Sequence, residues 1–344
     1  MTELVATTPG LYPLPDWAKD TLSDLKGHQK HDLIGGDEDE ETTAAYTEVR
    51  EELVEDQTGA GLDRVVEGQA RWDDMLAHPL AVHENVETRG IVRYYDNNNF
   101  YRDPVVTGDL TESGDVAREL EAVADLRSPD DPNAEESEDA APLQAVLPGP
   151  YSLTDLASDE HYGDEGEFLD AITEFLAGEV ALFPDHETLF LLEPSLVEEP
   201  PGDGVDEHAS EAIDRVASAT DAEVVVHTYW GALEEKVHAH LLDADVDAIG
   251  YDFVNEVDDN LYNITEYGTK DSIALGLLDG QNTLVESPET VAERIEWIDE
   301  RVPSQEFETT YLTTNTELFY LPENKYKEKL ETLGAVVAPR EVTA

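Results

Sequence analysis

The sequence contains no cysteine. Disulfides, thiolate nucleophiles and cysteine-ligated zinc are therefore excluded from the chain itself. Basic residues are scarce: 20 Lys and Arg stand against 81 Asp and Glu, a formal charge of −61 over 344 residues. So large an anionic excess argues against binding the phosphates of DNA or RNA. No apolar run reaches the roughly 18 residues of a membrane span. The opening "MTELVATTPGLYPLPDW" lacks a charged segment followed by an apolar one, so no secretory signal is read there. A cytoplasmic protein without membrane contact is expected.

The acidic residues run through periodic apolar segments such as "EFLDAITEFLAGEVALF" and "SPETVAERIEWIDER" rather than forming a tail. They therefore decorate folded helices. Repulsion on this scale opposes compaction in dilute buffer, but at molar salt the Debye length falls to about 3 Å and the repulsion is screened. The composition is that expected of an extreme halophile's protein, and its 40% hydrophobic content is enough for a full core.

From about residue 143 onward, strand-like runs alternate with amphipathic ones. The strands read "LQAVLPG" (143–149), "ETLFLLEP" (187–194), "AEVVVHTY" (222–229), "VDAIGYDF" (246–253), "SIALGLLDG" (272–280) and "ETTYLTTN" (308–315). Such βα repetition calls for a parallel sheet. Two earlier runs, "ELVATT" (3–8) and "GLDRVVEG" (61–68), bring the count to eight. Eight suits an α/β fold of the (β/α)₈ TIM-barrel type, with its site at the C-terminal ends of the strands. An open doubly wound sheet is the runner-up, but no Gly-rich phosphate loop follows a first strand. The chain is read as one such domain over 1–344, with a β-hairpin insertion at 89–107, around "DNNNF", and a solvated acidic loop at 127–141.

Several stretches, in order, resemble the cobalamin-independent methionine synthases. "VVEGQARWDDM" (65–75) is similar to that family's Asp-Gly-Glu-Gln-Arg stretch, and "VRYYDNNNFYR" (92–102) to its aromatic hairpin. "AVLPGPYSL" (145–153) resembles its Gly-Pro segment, "LFLLEPSL" (189–196) its Asp-Glu-Pro strand end, and "HTYW" (227–230) its His-x-Cys strand end. "LGLLDGQN" (275–282) and "TTNTELFYLP" (313–322) resemble the last two strand ends. The resemblance implies a barrel taking part in methyl transfer from a methyltetrahydrofolate-like donor to homocysteine. In the family's catalytic barrel, zinc is held by the His-x-Cys pair, a Glu one strand later and a second Cys on the final strand. The metal stabilises the homocysteine thiolate, because a free thiol with a pKa of about 8.5 is mostly protonated at neutral pH.

Carried over residue by residue, His227 keeps the histidine place, Asp252 or Tyr251 falls near the Glu place, and Tyr229 and Thr316 stand where the two cysteines belong. Leu192 replaces the Asp that helps hold the amine of homocysteine, while Glu193 and Pro194 persist; Glu67 and Gln69 depart from the family's Asp and Glu order. "LGLLDGQN" and "IGYDFV" look closer to the non-catalytic N-terminal barrel of the family's two-barrel members. Substrate-binding candidates are Glu193, Asp252, Asn282, Arg93, Tyr95 and Glu67. The candidate metal pair is His227 with Asp252, extended by Glu193 and His238 or His240.

Each has a plainer reading. His227 serves equally as a satisfied strand-end histidine, Glu193 as a helix-start acceptor, and Asp279 in "LDGQN" as a turn residue. Tyr94, Tyr95, Phe100 and Tyr101 give the hairpin the look of an exposed contact surface. The first functional expectation is a component of methionine synthesis that works with a separate, cysteine-bearing paralogous chain carrying the zinc. A second is a free-standing homocysteine S-methyltransferase with a Cys-free metal site. A third is a decarboxylase-like or corrinoid-linked relative, since the fold alone licenses none of these chemistries.

Overall fold

The computed structural model describes residues 3–22, 39–95, 99–127, 141–302 and 306–338. In chain order the strands are β1 (Glu3–Ala6), β2 (Val65–Val66), β3 (Val86–Arg93), β4 (Phe100–Val106), β5 (Leu143–Pro148), β6 (Ser158–Asp159), β7 (Thr188–Leu192), β8 (Glu223–His227), β9 (Ala248–Asp252), β10 (Ser272–Leu278) and β11 (Thr309–Thr314). The helices are α1 (Asp16–Thr21), α2 (Glu40–Ala60), α3 (His78–Ala81), α4 (Asp115–Arg127), α5 (Pro150–Asp155), α6 (Glu165–Val180), α7 (Ser195–Glu198), α8 (Val205–Ala217), α9 (Glu235–Leu241), α10 (Val257–Tyr267), α11 (Pro288–Asp299) and α12 (Glu323–Val337).

Every residue of β5, β7, β9, β10 and β11 is buried. That is why these strands read as continuous apolar runs rather than alternating ones: helices cover one face and the barrel interior the other. The eight expected strands form one parallel sheet in the order β1-β11-β10-β9-β8-β7-β5-β2. The sheet curls until its two edge strands meet. There the ladder is replaced by Asp63, whose backbone N donates to Ala6 O at 2.9 Å while its carboxylate accepts from Ala6 N at 2.8 Å. Gln144 ties the same seam from inside, accepting from Thr7 Oγ1 at 2.6 Å and donating to Thr8 O at 2.7 Å. The result is a TIM-barrel-like α/β fold.

Local chemistry sets the helix ends. Asp39 accepts from Thr42 N to cap α2, and Gly61, at φ 79°, closes it in the left-handed conformation. Asp164 caps α6 and Ser287 caps α11, where Pro288 occupies the first turn. No helix among the described residues is long and apolar enough to cross a membrane.

The hairpin expected at 89–107 is antiparallel β3–β4, with Arg93 opposite Phe100, and β6 joins its outer edge. Residues 96–98 at its tip lie outside the described residues, as do 128–140 of the expected acidic loop. Three of its aromatics turn inward rather than outward. Tyr94 is fully buried and its hydroxyl bonds Asp74; Tyr101 donates to Leu156 O at 2.8 Å; Tyr95 reaches Ser195 Oγ at 2.8 Å. The exposed apolar side chains of the hairpin are Ile91 and Phe100. An aromatic side chain with a polar tip can satisfy both ends only where buried acceptors are in reach, and here the barrel supplies them.

Candidate functional site

Strand register places the candidate residues side by side. Leu192 pairs with His227, His227 with Gly250, and Asp252 with Gly276, all at the C-terminal ends. The His227 ring lies across the β9 backbone at Gly250: a Cβ there would stand 2.1 Å from Nδ1. Glycine is what lets the imidazole occupy this position. The ring is fully buried, and neither nitrogen has a well-formed hydrogen bond among the described residues. Burial pushes its pKa down to about 4, against a small opposing pull from the backbone of Asn315 and Thr314. His227 is therefore a neutral imidazole at neutral pH.

Glu193 lies over Gly149, where a Cβ would sit 2.2 Å from its carboxyl carbon. It accepts from the backbone N of Tyr151 at 3.0 Å and of Ser152 at 2.7 Å, so it caps the first turn of α5. Burial raises its carboxyl to about 7 despite those two donors. Asp252 accepts from the backbone N of Val254 and Asn255, both at 2.8 Å, from Asn255 Nδ2 at 2.9 Å and from Asn315 Nδ2 at 3.1 Å. It organises the β9–α10 turn and is lifted above the usual carboxylate range by burial.

Above these groups opens a cleft of about 500 Å³ lined by Trp230, Asn255, Asp279, Gln281, Asn282 and Asn315, among others. Asn282 is thus where the sequence placed it; its Oδ1 accepts from Leu284 N at 3.0 Å. Asp279 accepts from Gln281 N at 3.0 Å, the turn role expected of Asp-Gly. Tyr95 is brought to the mouth by the hairpin, its ring 5.3 Å from that of Trp230, and Ser195 Oγ continues the chain to Asp155 at 2.8 Å. Tyr95 and Trp230 both have positive φ, 42° and 62°, and strained backbone of this kind gathers at functional sites.

Other candidates lie elsewhere. Arg93 is exposed on the hairpin, 5.9 Å over the Phe100 ring. Glu67 accepts from Arg50 Nε at 3.1 Å and from Gln69 N at 2.6 Å, within a buried ion network. Arg50 also pairs with Glu119, which in turn receives Arg71 at 2.9 Å, and Arg71 contacts Asp115, held by His78 at 3.0 Å. His238 bonds Tyr251 Oη at 2.9 Å and His240 lies 3.7 Å from Asp206, neither at the mouth. Residues not singled out from sequence complete the site: Trp230, Gln281, Asn315 and above all Glu317. Glu317 directly follows the strand-end run "TTNT", the one signal that pointed to it.

The residues present do not fit a zinc centre. Tyr229 and Thr316 offer neutral hydroxyls where thiolates belong, Asp252 is surrounded by amide donors, and Glu193 caps a helix. Among the described residues no group of three or more His, Cys, Asp or Glu is placed to hold a metal ion.

The family "Cobalamin-independent synthase, N-terminal domain" matches residues 82–303, and "Cobalamin-independent synthase, Catalytic domain" matches residues 6–132. The chain belongs to the cobalamin-independent synthase family. Among curated relatives, a methionine synthase of Sulfolobus acidocaldarius is 24% identical over 300 residues, covering 85% of this chain and 80% of the relative. A methionine synthase of Saccharolobus islandicus is 22% identical over 301 residues, 85% of this chain and 82% of that one. A solved B12-independent methionine synthase from Shewanella, in complex with selenomethionine, superposes at TM-score 0.73 with 17% identity, covering 97% and 96% of the two chains. A putative B12-independent methionine synthase from Listeria monocytogenes gives 0.69 with 18% identity and 98% of each. These two show that the synthase fold is shared.

Proposed function

We propose that this chain is a component of methionine synthesis, taking part in methyl transfer from a methylated folate-like donor to homocysteine, and that a separate cysteine-bearing chain of the same family supplies the zinc. The observation that carries this reading is the strand-end chemistry. The barrel keeps its mouth, its cleft and His227, but Tyr229 and Thr316 replace the thiolate ligands, and Asp252 and Glu193 are engaged by amide donors. Family membership and the similarity to curated methionine synthases support the pathway.

This chain would contribute a polar cleft and an aromatic wall. Trp230, backed edge-on by Tyr95, presents a flat face suited to a pterin-like ring, and Asn282, Gln281 and Asn315 present amides to its edge. Neutral His227 can accept or donate one hydrogen bond without bringing a charge to the barrel's centre.

The test is purification in molar KCl alone and with the cysteine-bearing paralogue, with metal content, association and homocysteine methylation measured for each. Expected are no stoichiometric metal on this chain, a stable pair, and methylation only by the pair. A stoichiometric metal lost in His227→Ala, with activity of the chain by itself, replaces this reading with that of a free-standing homocysteine S-methyltransferase.

A further inference from the structure

Beneath the cleft floor lie three buried side-chain atoms without a hydrogen-bond partner among the described residues, the Tyr229 hydroxyl, Thr313 Oγ1 and Glu317 Oε2, beside the His227 ring, whose nitrogens make no well-formed hydrogen bond but lie near the backbone of Asn315 and Thr314. Buried polar atoms are nearly always paired, so orphans concentrated at one end of a barrel mark a place where something polar belongs.

Glu317 is fully buried; its other oxygen has Gln281 Nε2, at 3.3 Å, and no Lys, Arg or His among the described residues forms an ion pair with it. Its titratable neighbours are two phenols, Tyr229 and Tyr320. Burial lifts its carboxyl to about 8. Tyr229 packs edge-on at 5.4 Å against both His227 and Trp230, and Trp230 packs at 5.3 Å against Tyr95.

A carboxylate with a free oxygen, a free phenol beside it and aromatic rings around it complement an organic cation. The ammonium charge offsets the cost of ionising the acid, its N–H groups fill the open acceptors, and ring faces favour a cation nearby.

We propose that Glu317 and Tyr229, flanked by His227, form a subsite for the ammonium group of an amino-acid ligand entering from the cleft. This rests on the reading that the chain takes part in methyl transfer to homocysteine, an amino acid. Gln281, exposed at the cleft wall and bonded to Glu317, must yield its hydrogen bond for the ligand to enter. On binding, the ammonium displaces the proton that Glu317 holds when the subsite is empty.

The test is titration calorimetry of the full chain in molar KCl at pH 7 with L-homocysteine, 4-sulfanylbutanoate, which lacks the amine, and n-pentylamine, which lacks thiol and carboxylate. Homocysteine is expected to bind at least tenfold more tightly than 4-sulfanylbutanoate, with release of close to one proton. Glu317→Gln should weaken homocysteine tenfold or more, abolish the proton release and leave 4-sulfanylbutanoate unchanged; Tyr229→Phe should give a smaller loss in the same direction. Thermal unfolding of both variants checks that they fold.

Homocysteine binding that ignores Glu317 overturns the subsite and leaves the proposed function standing. Glu317-dependent binding of n-pentylamine without any binding of homocysteine overturns the proposal, because the ligand is then a simple amine and not an amino acid. Stoichiometric binding of zinc that depends on Glu317, or no binding of any probe, overturns the proposal.

Discussion

At the scale of single residues, the chemistry of the mouth is decided by which lone pairs are already taken. Glu193, His227 and Asp252 all sit at strand ends, where a barrel keeps its site, yet they are not equivalent. Glu193 and Asp252 each accept several amide hydrogens, whereas Glu317 and His227 keep free atoms. This difference was not legible in sequence, because a carboxylate before a proline and one after a threonine look alike until the backbone is folded. It has a measurable consequence for stability. An ordinary glutamate titrates near 4.5, but burial holds Glu317 up to about 8. The folded state thus favours the protonated form, and its contribution is fully present below about pH 4.5 and lost as pH rises through about 8. Glu193 and Glu67, both raised to about 7, act in the same direction. Glu317→Gln stays neutral, so its unfolding free energy should fall less steeply between pH 5 and 8 than that of the parent, by on the order of 3 kcal/mol over that range. Denaturant titration across that range checks it, and parallel curves for the two proteins would contradict it.

At the scale of elements, the cleft depends on pieces that the regular βα rhythm does not specify. The hairpin was readable from its turn sequence and β-rich flanks, but its inward packing was not, since aromatic content is the same for an exposed contact surface and a lid anchored by Asp74, Leu156 and Ser195. The β10–α11 loop, which carries Gln281 and Asn282, is fixed from outside the barrel by α12. Lys329 on that helix is fully buried and donates to Leu284 O and Glu286 Oε2, both at 2.8 Å, while Glu286 Oε1 accepts from Asp279 N at 2.9 Å. Without Lys329, Glu286 would keep only the partly exposed Arg294, 4.0 Å away, as a cation among the described residues, and stripping a buried acid of its close partner is costly. Lys329→Met should therefore cost about 3–5 kcal/mol of stability and raise amide exchange selectively over 279–287. Exchange rates in that loop unchanged from the parent would show that the clamp does not hold it.

At the scale of the whole molecule, the charge of −61 is carried by a barrel with a continuous apolar interior. Compaction brings those carboxylates together, so screening should matter more than any one ion pair. Raising KCl from about 0.1 M to about 3 M shortens the Debye length from about 10 Å to below about 3 Å, and the thermal unfolding midpoint should rise steadily over that range. A midpoint independent of salt would mean that the acidic surface is not what sets the working solvent.

The sequence by itself determined the eight strands, their parallel order of use, the acidic exterior and the loss of thiolate ligands, because each follows from local pattern or from residue identity alone. Only the tertiary structure decided which strand-end side chains keep unpaired atoms, how the hairpin packs inward through Tyr94, Tyr95 and Tyr101, and how Asp63 closes the barrel. Those outcomes depend on distances between residues far apart in the chain, such as the 3.1 Å from Asn315 to Asp252, and no local pattern encodes them.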